Sequence, residues 1–129
     1  MKTRNVMVSL ALLMSAPVWA GIFGDSASAK FENYQEMASS GIFEQGWLPP
    51  YLPKSAVNIE EKHDMETNVV MATFEYDPQD TGSVQEHCDL MTETEDSARY
   101  ACDNGESEAF IELRKDGSAT YSSQPKVTE

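Results

Sequence analysis

His63 and Asp64 place an imidazole directly beside a carboxylate. These are the two groups that general base catalysis pairs, with His63 taking the proton and Asp64 orienting the ring. Strand geometry argues against that role, because adjacent side chains on a strand point to opposite faces. The competing reading is a turn. In it the Asp64 carboxylate accepts backbone N–H bonds from Glu66 or Thr67, and His63 packs or points outward. His63, His87, Cys88 and scattered carboxylates include zinc-type donors, but without C-x2-C or H-x3-H spacing. Asp77-Pro78-Gln79-Asp80 and the run Glu93 to Asp96 are acidic enough for calcium, yet lack the ordered oxygen spacing and central glycine of a calcium loop. No G-x-S-x-G, S-x-x-K or glycine-rich phosphate loop occurs. The expectation is therefore no catalytic set, no metal and no cofactor, with His63 and Asp64 as the residues to watch.

A second kind of site could lie in Gly46-Trp47-Leu48-Pro49-Pro50-Tyr51-Leu52-Pro53. Three prolines remove backbone donors and push their predecessors into extended conformations, so this stretch reads as an irregular strap. Trp47 and Tyr51 give it a large aromatic payload. They are candidates for a docking surface, or alternatively for a cover over the domain's own core.

The elements that must position these residues read as an α+β domain. Ala27, Phe31, Tyr34 and Ala38 form one apolar stripe, which predicts a helix from Ser26 to Ser39, ended by Gly41. After the strap, residues 56–63 and 69–76 read as a β-hairpin around Asp64 to Asn68. Val84, Cys88 and Met91 predict a short second helix over Thr81 to Met91. A three-stranded meander follows at Ala98–Cys102, Glu108–Leu113 and Ser118–Ser122, its last turn marked by Asp116-Gly117. Cys88 and Cys102 are the chain's two cysteines, and a disulfide between them would staple the second helix to the meander. From Gln124 onward a flexible tail is expected.

The chain has 129 residues and a formal charge of −13. Lys2 and Arg4 precede an apolar run from Val6 to Ala16, followed by Ala-Pro-Val-Trp-Ala. That order describes a secretory signal peptide over residues 1–20, cut between Ala20 and Gly21. The apolar run is roughly 11 residues against the about 20 that a spanning helix needs. Removing the leader takes two basic residues with it and makes the product more acidic still, a single domain over 21–123. Such a surface repels nucleic acid and anionic lipid and attracts cations and basic protein surfaces. The expected location is the periplasm or the extracellular space, with a basic envelope protein surface as the partner.

One longer pattern is more specific. Gly41-Ile42-Phe43-Glu44-Gln45-Gly46-Trp47-Leu48-Pro49, then Leu52-Pro53-Lys54-Ser55-Ala56, Ile59 and His63-Asp64-Met65-Glu66-Thr67-Asn68, resembles the YbbD head domain of exported bacterial proteins over about residues 30–76. Gln45 stands where that pattern often carries a basic residue. Gly21 stands where many members carry the lipid-bearing cysteine. The resemblance implies that Trp47, His63, Asp64, Thr67 and Asn68 form one structural unit. It implies no catalytic residues, the family being of unknown function. Together these readings point to a non-enzymatic binding or interaction module. The alternatives are a small hydrolase using His63 with a carboxylate, or a divalent-cation binder.

Overall fold

In the computed structural model, which describes residues 26–127, the chain forms one seven-stranded antiparallel sheet with two short helices. The expected leader and its cleavage point lie outside the described residues. Strand β1 (Ser26–Asn33) leads into helix α1 (Tyr34–Ser39). The strap then runs to β2 (Val57–Asp64) and β3 (Val70–Glu75), followed by α2 (Gly82–His87). The remaining strands are β4 (Cys88–Glu93), β5 (Ser97–Asp103), β6 (Ser107–Arg114) and β7 (Ser118–Pro125). Their spatial order is β1-β2-β3-β7-β6-β5-β4. The last strand therefore joins the expected hairpin to the expected meander and makes them one sheet.

The α+β expectation with an N-terminal helix is overturned at two places. Residues 26–33 are strand, with Ala27, Ala29 and Phe31 opposite His63, Glu61 and Ile59 of β2. Ala27 and Phe31 fit a helical stripe, but Ala29 between them completes a period of two, and pairing along β2 selects that period. Only residues 34–39 are helical. The Asn33 side chain caps α1 by accepting from the Glu36 N–H at 2.9 Å. Glu36 reaches back to accept from the Glu32 N–H at 2.6 Å, in the manner of a capping box.

The second correction concerns Thr81–Met91. The helix stops at His87, and from Cys88 the chain is strand β4, with Cys88 directly opposite Cys102 on β5. The Cys88–Cys102 disulfide thus links two neighbouring strands rather than a helix and a strand. A short helix of six residues has little cooperative stability of its own, so the cross-strand ladder prevails. At the other end, β7 continues past Ser122 to Pro125, and Lys126 ion-pairs Asp103 at 2.9 Å.

The inner face of the sheet is apolar: Ile59, Phe74, Tyr121, Ile111 and Tyr100 are buried. Met37 of α1, Leu48 and Leu52 of the strap, and Val84 of α2 close over it. Strands alternate accordingly, most cleanly in β3. The outer face carries Lys30, Glu60, Thr73, Thr120 and Glu112. No helix among the described residues is long and apolar enough to cross a membrane.

The disulfide closes a loop with a sequence separation of 14. Constraining the unfolded chain at that length stabilises by about 3 kcal/mol. Replacing both cysteines by serine is expected to lower the melting temperature by roughly 10–20 °C, read by circular dichroism. An unchanged melting temperature would show that the bridge carries no share of the stability.

Candidate functional site

On β2, alternate residues share a face, so the neighbour of His63 is Glu61 rather than Asp64. His63 Nδ1 lies 2.6 Å from Glu61 Oε2, and their side chains are 11% and 0% exposed. Two bare acceptors would repel at that separation, so a proton lies between them. The indole of Trp47 stacks on the His63 ring with centroids 3.7 Å apart and planes within 10°. Glu61 is flanked across the sheet by Ala29 of β1 and Ala72 of β3. Those small side chains leave room on the inner face for the longer glutamate. The result is a stack of carboxyl, imidazole and indole rising from the inner face of the sheet.

Glu61 Oε1 has no hydrogen-bond partner among the described residues. Burial pushes the Glu61 carboxyl above its ordinary range, opposed in part by the hydrogen bond and charge of His63. The sign for stability follows. Between the ordinary carboxylate value and the raised one, the native state keeps a proton that the unfolded chain has released. Glu61's contribution is therefore complete at low pH and is lost as pH rises through that window.

Asp64 does different work. Its Oδ1 accepts from the Glu66 N–H at 2.8 Å and the Thr67 N–H at 3.4 Å, while its carbonyl accepts from the Asn68 N–H at 3.0 Å. Thr67 Oγ1 accepts from the Val69 N–H, and Asn68 takes a positive φ of 63°. The turn reading of Asp64 describes this geometry, and His63 packs inward. Trp47, His63, Asp64, Thr67 and Asn68 thus lie in one region: the stack and the turn are the two sides of the end of β2.

The strap is stitched to the domain at several points. Tyr51 donates its hydroxyl to Asn104 Oδ1 at 2.7 Å, and its ring stacks on His87 at 5.3 Å. Ser83 donates to the Tyr51 carbonyl and Tyr34 to the Pro50 carbonyl. Burial drives the Tyr51 hydroxyl well above its ordinary value. Asn104 in turn donates to the buried Tyr121 hydroxyl at 3.3 Å. Tyr51 is therefore a fastener. Trp47 packs against the core but stays half-buried.

The residues weighed as cation donors are dispersed. His87 is exposed and pairs with the Ser83 carbonyl at 2.9 Å. Asp77 and Asp80 close a turn and accept from Gln79 and Ser55. Among the described residues no three donors of His, Cys, Asp or Glu gather in metal-binding geometry.

Between Trp47 and the start of β6 lies a hollow of about 410 Å³. Its floor is Val70 and Ser123, and its far side Asn104 and Ser107. Gln45, Asn68 and Glu106 also line it. Glu61 and this hollow were both missed by reasoning from the sequence. The i, i+2 spacing of Glu61 and His63 was a usable signal for the first. Nothing local announces the second, whose lining residues come from four separate stretches.

The fold and the site define a small sheet domain with a buried polar stack under an aromatic strap. Residues 25–75 match the family model of the YbbD head domain, so over that span the chain is similar to that domain. The match takes in β1, α1, the strap, β2 and β3, hence the whole Glu61–His63–Trp47 stack. Comparison with curated proteins and with solved structures finds no match.

Two variants separate the roles of the stack. Glu61→Ala leaves His63 without its buried partner and is expected to cost about 1–3 kcal/mol. Glu61→Gln keeps a partner but cannot titrate, so its stability should lose the decline with rising pH described above. Urea unfolding across a pH series reads both. A wild-type profile that rises with pH through the same window would contradict the buried, proton-retaining carboxyl.

Proposed function

We propose that this protein is an exported, non-enzymatic binding or interaction module of the bacterial envelope, released by cleavage between Ala20 and Gly21. The observation that carries the reading is the state of His63. Its ring lies beside a carboxylate, as a general base requires, but is buried, and Trp47 covers one of its faces. A hydrolytic base must reach a water or hydroxyl at the substrate. Here the imidazole is spent on holding the strap to the sheet. The leader pattern of residues 1–20 and the Cys88–Cys102 bridge support export.

Charge supports a cationic protein surface as partner. The described residues contain 20 carboxylates against 7 lysines and arginines. Lys30, Lys62, Arg99 and Arg114 stand on strand positions that face away from the core. Glu36, Glu44, Asp77, Asp80 and Glu86 lie on α1, the strap side and around α2. Glu60, Glu75, Glu108 and Glu112 on the outer face add to this excess, and association with a cationic surface is steered electrostatically.

Two measurements test the reading. Chromogenic ester, amide and glycoside substrates should show no turnover above buffer. Turnover that disappears in a folded His63→Ala variant would establish the hydrolase instead. Capture of basic envelope proteins on the immobilised chain should weaken sharply as salt shortens the Debye length from about 30 Å to about 3 Å. Capture indifferent to salt would rule out the electrostatic partner.

A further inference from the structure

We infer that the hollow beside Trp47 is a binding site for a neutral saccharide. This deepens the binding-module reading and rests on it. The inference starts from the rigidity of the indole. Glu61 holds His63 at 2.6 Å, and His63 supports Trp47 at 3.7 Å with nearly parallel planes. A ring fixed in this way loses little freedom when a ligand stacks on it. Trp47 lines the hollow while His63 does not, so the indole surface that borders the hollow is separate from the surface seated on the imidazole.

The rest of the lining sets the ligand class. Gln45, Asn68 and Asn104 carry amides, and Ser107 and Ser123 carry hydroxyls. Such groups both donate and accept, which suits a ligand bearing several hydroxyls. The C–H face of a pyranose carries slight positive charge and lies well against the negative face of an aromatic ring. Glu106 on the lining and the acidic field of the domain disfavour phosphorylated or otherwise anionic ligands. With a single aromatic ring on the lining, the hollow has no cage for a quaternary ammonium group. The volume of about 410 Å³ falls within the range of small-molecule sites and accommodates one or two sugar rings.

The site is also placed on rigid parts. Val70 and Ser123 face each other across paired strands β3 and β7. Asn104 is held by Tyr51 and Tyr121. The Asp64 turn fixes the backbone that presents Asn68.

The test is titration of the isotope-labelled exported protein with chitotriose, cellotriose and maltotriose, with glucose 6-phosphate and choline as controls, followed by nuclear magnetic resonance. At least one neutral trisaccharide should shift the Asn68, Ser107 and Trp47 indole N–H resonances saturably, and both controls should leave them in place. Trp47→Ala should weaken binding about tenfold, the loss of one stacked ring. Because that variant also removes the cover of His63, Ser107→Phe serves as a second probe. It fills the hollow, leaves the stack intact, and should abolish the shifts in a protein that melts like the wild type. The inference is overturned if no neutral trisaccharide shifts these resonances, if a control shifts them equally, or if binding survives in Ser107→Phe. Cleavage of the bound trisaccharide would overturn the non-enzymatic reading while leaving the site in place. Absence of binding together with salt-sensitive capture of basic proteins would do the reverse.

Discussion

The constraint on which the domain's N-terminal half depends is the burial of one carboxyl. Glu61 sits on the inner face of the second strand with its side chain wholly covered. A carboxyl there is tolerable only if it is hydrogen-bonded and its charge is compensated or removed. His63, two residues along and on the same face, supplies the partner. Its ring then presents a flat surface, and Trp47 covers that surface from the strap. Ala29 and Ala72 on the flanking strands leave space for the glutamate, so the small residues of β1 are part of the same solution. The stack explains why an irregular, proline-rich segment can hold a defined course across a sheet.

Much of this was legible in the residues, and what was not has definite causes. The β2–β3 hairpin and its Asp64 turn follow from alternation and turn chemistry confined to neighbours. So does the β6–β7 hairpin, where Gly117 adopts a φ of +97°. Ala27-Ser28-Ala29-Lys30-Phe31 satisfies both a helical and a strand period, and only the presence of β2 beside it decides between them. Cys88 falls on a helical stripe with Val84, yet its position opposite Cys102 belongs to a strand ladder. In both places the local periodicity fits a helix, and pairing with a neighbouring strand makes the segment extended.

The candidate site shows the same division. His63 stood out by its chemistry, but adjacency drew attention to Asp64, whereas a strand pairs alternate residues and makes Glu61 the partner. The stacking of Trp47 on His63 joins residues far apart in the chain, and no spacing rule reveals it. The hollow needs Asn68 of the β2–β3 turn, Asn104 of the β5–β6 turn and Ser123 of β7 brought together by the sheet. His63 is packed as a spacer, with a carboxyl beneath it and an indole above.

The most direct test of that account is the magnetic environment of the His63 ring in the folded protein at neutral pH. Stacked at 3.7 Å on an indole, its carbon-bound ring protons should be shifted far upfield by the indole ring current, and Trp47→Ala should return them toward ordinary positions. Ring protons of His63 at unstructured-peptide positions in the folded wild type would contradict the stack, and with it the claim that this imidazole is a fastener rather than a catalyst.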